Sequence, residues 1–144
     1  MKMLRGAAAG FAATVPMTLV MEALRAAMTR EHRRRMPPRE IVDRTVDAAG
    51  AADEVDGSDR IVLTTILHFA FGALAGAAYG TTIGSRQSSA LKGIGYGIAV
   101  WAVAYGVGLP SLGLHPSASD DTAERNLTLV TSHVVWGATL GTLT

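Results

Sequence analysis

Along this chain the apolar positions are gathered into long continuous blocks, separated by polar segments, rather than laid out as amphipathic stripes. The blocks run from Leu4 to Met21 (or to Met28 if Glu22 and Arg25 are admitted), Ile61 to Ile83, Ile94 to Leu114, and Leu127 to Thr144. A helix needs roughly 20 mostly apolar residues to cross the hydrocarbon core, and each block meets or nearly meets that length. Four such blocks in 144 residues predict an all-α polytopic membrane protein with four transmembrane helices, forming a single membrane domain over residues 1–144. Lys2 and Arg5 ahead of the first block also fit a signal peptide, but Glu22, Arg25 and a weak cleavage site argue against cleavage.

The blocks fall into two tandem helical hairpins. Hairpin one covers residues 4–83 and holds a long polar connection, 29–60; hairpin two covers 91–144, with a shorter connection from His115 to Asn126. Ser85-Arg86-Gln87-Ser88-Ser89 links them. The hairpins read as copies of each other. Leu4-Arg5-Gly6-Ala7-Ala8-Ala9-Gly10-Phe11-Ala12 returns as Leu91-Lys92-Gly93-Ile94-Gly95-Tyr96-Gly97-Ile98-Ala99, and His68-Phe69-Ala70-Phe71-Gly72 returns as His133-Val134-Val135-Trp136-Gly137. Two helices per copy give a parallel internal repeat, with its pseudo-two-fold axis along the membrane normal and its histidines expected at matching depth.

Glycine spacing adds a packing prediction. Gly72, Gly76 and Gly80 follow His68 at four-residue steps, and Gly137 and Gly141 follow His133 likewise. Gly6 with Gly10, and Gly93 with Gly97, give the odd-numbered helices the same kind of face. Such rows let helix backbones approach closely where lipid removes the usual hydrophobic drive. Tyr79, Trp101, Tyr105 and Trp136 are expected as packing or interfacial anchors.

The long connection opens with a basic cluster, Arg30, Arg33, Arg34, Arg35 and Arg39, interrupted by Pro37-Pro38. After the prolines, residues 38–46 predict a short amphipathic surface helix with Ile41, Val42, Thr45 and Val46 on one face. Seven basic residues in 29–60 favour this side in the cytoplasm by the positive-inside rule.

The candidate chemistry lies in Glu22, His68 and His133. An ionisable group inside a bilayer is costly, generally faces the bundle interior and is a functional hypothesis by default. Glu22 should emerge at the level of the two histidines. Together they could bind a divalent metal, pass protons or hold a polar ligand, or the histidine pair could ligate haem. The reading favoured over these is structural: each imidazole hydrogen-bonds across a helix interface, or to a backbone carbonyl, and fixes helix rotation. Glu22 and Arg25, three apart, can pair on one face. Asp120 and Asp121 are expected to stay solvated ahead of the fourth helix. Net charge of +1 gives no argument for nucleic acid, and zero cysteines exclude disulfides and thiolate chemistry. No phosphate-binding glycine loop, nucleophile elbow or zinc-hydrolase helix occurs. No cofactor is predicted.

Taken in order, a small-residue first span, Pro37-Pro38-Arg39-Glu40, His68 to Gly72, Leu109-Pro110 with Gly113, Leu114 and Pro116, and His133 to Gly137 resemble the YagU-like family of bacterial inner-membrane proteins. His68, Phe71, Pro110, Gly113, Pro116, His133 and Trp136 carry the resemblance. It implies a multi-pass inner-membrane protein with cytoplasmic termini, opposite to the basic-residue count, and implies no reaction. The expected role is non-enzymatic: proton, ion or small-solute handling, or a supporting subunit. The alternative is a metal- or haem-binding protein using His68 and His133. Four helices are few for a solo transporter, so the expected partners are the bilayer and a homodimer or larger membrane complex.

Overall fold

The structure, a computed structural model, describes residues 1–29, 36–84 and 89–144. The basic cluster at Arg30 and Arg33 to Arg35, and most of the link at 85–89, lie outside the described residues. The described residues are helical with no strand. The elements are α1 (Lys2–Ala27), α2 (Pro37–Ala48), α3 (Gly57–Thr82), α4 (Ala90–Val103), a π-helical turn (Ala104–Gly108), α5 (Leu109–Ser111) and α6 (Ala123–Leu143).

Helix α1 shows why the blocks lack a conventional amphipathic stripe. Its buried face is Gly6, Ala9, Gly10, Ala13, Thr14, Met17 and Met21, while Leu4, Phe11, Val15 and Leu19 point outward. Small residues face protein and large apolar ones face away, the inverse of a soluble helix and the pattern a lipid surround favours. Helix α3 repeats it, burying Gly72, Gly76, Tyr79 and Gly80 and exposing Ile66, Leu67, Phe71 and Leu74.

The glycine rows set the helix pairs. A methyl group added at Gly6 would fall on the carbonyl of Gly76, and one at Gly10 on the carbonyl of Gly72. Position rises along α1 as it falls along α3, so the two run antiparallel. In the second pair Gly93 meets the carbonyl of Gly137, and Gly97 that of His133. The pairs join through α1 and α6, where the Trp136 indole N–H donates to the Gly10 carbonyl at 3.2 Å. Tyr96 Oη, on α4, donates to the Ala75 carbonyl of α3 at 2.9 Å. Helices α1 and α4 therefore run one way and α3 and α6 the other.

The register differs between the pairs by one helical turn. Gly10 opposes Gly72 and Gly76, whereas Gly97 opposes His133 and Gly137. His133 thus stands, within its pair, where Gly72 stands in the first. By sequence spacing His133 matches His68, but by packing it sits one turn farther along the close-packed row.

Three helices, α1, α3 and α4 extended through α5, are long and apolar enough to cross a membrane among the described residues. Helix α6, the fourth apolar block, is not among them. Helix α6 has 21 residues, but Thr128, Ser132 and His133 occupy its interior face and Arg125 its first turn. It is the bundle's most enclosed helix, and its Thr128 and Ser132 hydroxyls are satisfied by donating to the carbonyls of Glu124 and Thr128. Polar positions that face protein lower its apolar average without exposing a polar group to lipid.

Helix α2 forms as the prolines predict, with Pro37 and Pro38 in its first turn, where a missing N–H costs nothing. Val42 and Val46 are buried and Ile41 half-buried, whereas Thr45 is exposed and so leaves the expected apolar face. Arg60 at the start of α3 binds α2 through Asp43 at 3.3 Å and Asp47 at 3.1 Å. One residue past α4, the chain widens: the Leu109 N–H bonds the Ala104 carbonyl, closing a π turn. Pro110 has no N–H to offer the Gly106 carbonyl, which makes this stretch the place for a register change. Tyr105's carbonyl accepts from the Ala118 N–H at 3.1 Å instead. Gly113, at φ +67°, supplies the left-handed residue that ends the segment.

Two expected outcomes check this packing. Gly76→Ala places a methyl against the backbone of Gly6 and Gly10 and should destabilise by roughly 1–3 kcal/mol, the usual cost of overpacking. Gly95→Ala, with open space at that site, should leave thermal unfolding in detergent unchanged or slightly raised. Equal losses in both would contradict the close approach. Separately, Asp56 caps α3: the Ser58 hydroxyl, then the amides of Asp59 and Ser58, hold its carboxyl below the usual range. A lowered folded-state pKa gives stability that is present above the unfolded value, near 4, and lost as pH falls through the folded one. Protection factors of the Ser58 and Asp59 amides, taken against their intrinsic exchange rates, should therefore fall on acidification below about pH 4, and this acid step should vanish in Asp56→Asn. An Asp56→Asn protein with the same acid step would rule the cap out as its source.

Candidate functional site: a histidine-lined cavity under a surface helix

Beyond Gly72 on α3 and Gly10 on α1 the glycine rows stop, and side chains with volume take over. Thr14, Met17 and Met21 follow on α1, with Phe71, His68 and Leu67 opposite on α3. The helices cannot stay in backbone contact there. The space between them is a cavity of about 380 Å³, within the range of small-molecule sites. Its walls are overwhelmingly apolar, with Met17, Leu129 and Trp136 among them. His68 and His133 both line it, as does Tyr105 from the π turn. Pro38, Ile41 and Val42 of α2 close it from the side of the long connection.

The two imidazoles are held differently. His133 is buried, and its Nδ1 lies 2.8 Å from the carbonyl of Leu129. A carbonyl only accepts, so Nδ1 carries the proton, an assignment made from this hydrogen bond. His133 also packs edge-on against Tyr105, ring centroids 6.0 Å apart. His68 is half-buried and stands edge-on to Phe69. Its Nε2 is buried with no hydrogen-bond partner among the described residues, a state that costs free energy until something supplies a partner.

Glu22 does not share this cavity. It pairs with Arg25 at 2.7 Å on a face that leaves nearly half of its side chain exposed. It borders a second, more open space of about 520 Å³ together with Arg25, Arg39 and His68. His68 lies at the boundary of both spaces, so the structure brings His68 to His133 and His68 to Glu22, in two separate places. Among the described residues, no three His, Asp or Glu side chains converge as a metal-ligand set.

A polar cluster that the sequence did not single out holds α2 over the cavity. Glu40 of α2 meets the His115 ring, Nε2 to Oε2 3.2 Å, and the Arg125 guanidinium at 3.3 Å. Arg125 also binds Asp121 at 2.9 Å, so Asp121 is paired and largely enclosed rather than solvated. The reason is geometric: an i,i+4 step puts Asp121 under Arg125 at the entry to α6. His115 stacks edge-on against Tyr105 at 5.4 Å, which ties the cluster to the cavity wall. Arg44 adds a 3.2 Å bond to the Gly113 carbonyl. The sequence signal was the pairing of Pro-Pro-Arg-Glu with His115-Pro116, residues 75 positions apart in the chain that only a fold brings together.

The family comparison fits this arrangement. The model of a family described as "Protein of unknown function (DUF1440)" matches residues 18–142, which takes in the polar cluster, both histidines and the cavity wall from Met21 onward. The resemblance to the YagU-like membrane proteins is consistent with that match. Neither a search of curated proteins nor one of solved structures found a match. The chain belongs to the DUF1440 family, whose function is unknown.

Proposed function

We propose that this protein handles a small, weakly polar solute within the bilayer, binding it in the cavity between α1, α3, α4 and α6. The observation that carries this reading is an apolar cavity of about 380 Å³ with two imidazoles in its wall. A cavity built only for packing has no reason to include His68 Nε2 without a partner. Non-enzymatic solute handling, rather than chemistry, suits walls that are otherwise aliphatic and aromatic.

In this reading α6 spans the membrane as the fourth helix, enclosed by the other three. The two hairpins are a diverged parallel repeat, supported by the glycine pairs Gly6 and Gly10, Gly93 and Gly97 and by the shared direction of α1 and α4. The protein sits in a bacterial inner membrane with cytoplasmic termini, the orientation that the YagU-like resemblance implies. A homodimer or larger complex supplies the rest of any route across the bilayer. Helix α2 acts as the cover, and the Glu40 contacts to His115 and Arg125 hold it shut.

Two measurements test these points. In a Trp101→Phe background Trp136 is the only tryptophan, and it lines the cavity. Bromobenzene, a heavy-atom quencher, should quench it saturably, and Val100→Phe, which fills the cavity, should weaken that binding at least about tenfold, while exposed Leu127→Phe should not. Quenching that is unchanged in Val100→Phe would sink the cavity reading. Glu40→Gln should destabilise by roughly 1–3 kcal/mol, because Arg125 then keeps Asp121 as a carboxylate but loses Glu40. Amide exchange should accelerate in α2 and not in α1 or α6. Unaltered protection of α2 would show that the cluster does not hold the cover.

A further inference from the structure

The two histidines differ in what they can offer a ligand, and that difference narrows the ligand's chemistry. With its proton committed to the Leu129 carbonyl, a neutral His133 has a bare Nε2, which can only accept. No hydrogen bond reaches that nitrogen among the described residues. His68 makes no bond that fixes its tautomer, so it is free to present Nε2–H. Its Nε2 is buried without a partner, and its ring lines the cavity. The site therefore holds one acceptor and one available donor in apolar walls.

Water, an amide and a hydroxyl each satisfy both, and of these a hydroxyl on an apolar body suits apolar walls at the smallest desolvation cost. A carbonyl only accepts and would leave His133 Nε2 facing apolar space. An ammonium only donates and brings a charge whose burial here costs far more than one hydrogen bond returns. A carboxylate brings the same charge penalty and also fails to donate. A hydroxyl donates one proton and accepts through its lone pairs, and attached to a ring or short chain it is neutral and partitions into a bilayer. Trp136 and Tyr105 in the walls favour a flat aromatic body over a bulky one.

We propose that the cavity binds a neutral, lipid-soluble hydroxyl compound of the phenol class, its O–H donating to His133 Nε2 and its oxygen accepting from His68 Nε2–H. This rests on the solute-handling reading above and names the solute's chemistry. Its size limit is that of one substituted aromatic ring or two fused rings, set by a cavity of about 380 Å³. Binding would also remove the unpartnered state of His68 Nε2.

The test compares 4-bromophenol with 4-bromoanisole, which differ by the donor hydrogen, on the full chain in detergent. Binding is read by quenching of Trp136 in the Trp101→Phe background, with partition into detergent corrected by the Val100→Phe variant. The phenol should bind about tenfold more tightly, the worth of one net hydrogen bond. His133→Phe should abolish that preference, and His68→Phe should reduce it. Histidine labelled with nitrogen-15 gives an independent readout that needs no variant to fold. One ring should show a bare, pyridine-type Nε2 that shifts with 4-bromophenol and stays put with 4-bromoanisole. Equal binding of the two compounds, or no responsive bare Nε2, overturns the phenol assignment while leaving the cavity reading standing. Absence of saturable binding by either compound and by bromobenzene overturns both.

Discussion

The fold depends on backbone-to-backbone contact between helices at glycine. In lipid, helices gain nothing from hiding apolar side chains, because the surround is as apolar as they are. Close approach and the dispersion contacts it brings must supply the association. At Gly6, Gly10, Gly76, Gly93, Gly97, Gly137 and Gly141 an added methyl would strike backbone atoms of the facing segment, and at Gly72 it would strike the Thr14 hydroxyl. The large apolar side chains are left to point outward. The bundle is tight along one half of its length for this reason alone.

The cavity is the other consequence of the same constraint. Where the glycines end, Thr14, Met17 and Met21 on one side and Phe71 and His68 on the other force the helices apart, and no side chain fills the gap. The π turn at Ala104–Gly108 keeps Tyr105 in the wall, with its carbonyl turned to Ala118. Helix α2 then covers what would otherwise be an opening, held by Glu40 against His115 and Arg125. Packing at one end, space in the middle and a polar fastening at the other end follow from one change of residue size along the helices. The one-turn register difference between the pairs belongs here too. It sets the His133 carbonyl against Gly97 and leaves its ring free to meet Tyr105.

Much of this was legible in the chain. Helix type followed from block length, and the helix-facing glycines from four-residue spacing, because periodicity and residue size are local properties. The amphipathic α2 was legible from two prolines and its apolar face, apart from Thr45. The enclosed position of α6 was not legible, because an apolar block does not reveal which of its positions face protein. Thr128 and Ser132 are tolerated there because their hydroxyls turn back to backbone carbonyls. The Glu40, His115, Arg125 and Asp121 cluster was not legible, since its members come from three segments and have no spacing in common. Glu22 was placed with the histidines by membrane level, but level does not fix azimuth, and its helix turns it toward Arg25.

Glycine-driven closure along part of the bundle leaves a partly open cavity where the glycines end, bordered by His68, His133 and Trp136 and flanked by Ile41 and Val42 of α2. Bromine's anomalous scattering offers the most direct view of it. In crystals of the full chain soaked with 4-bromophenol, the account predicts a bromine peak inside the bundle, under Ile41 and Val42 and beside Trp136. Peaks confined to the outer faces near Phe11, Leu19 or Leu127, with the space between α1, α3 and α6 closed by side chains, would contradict it.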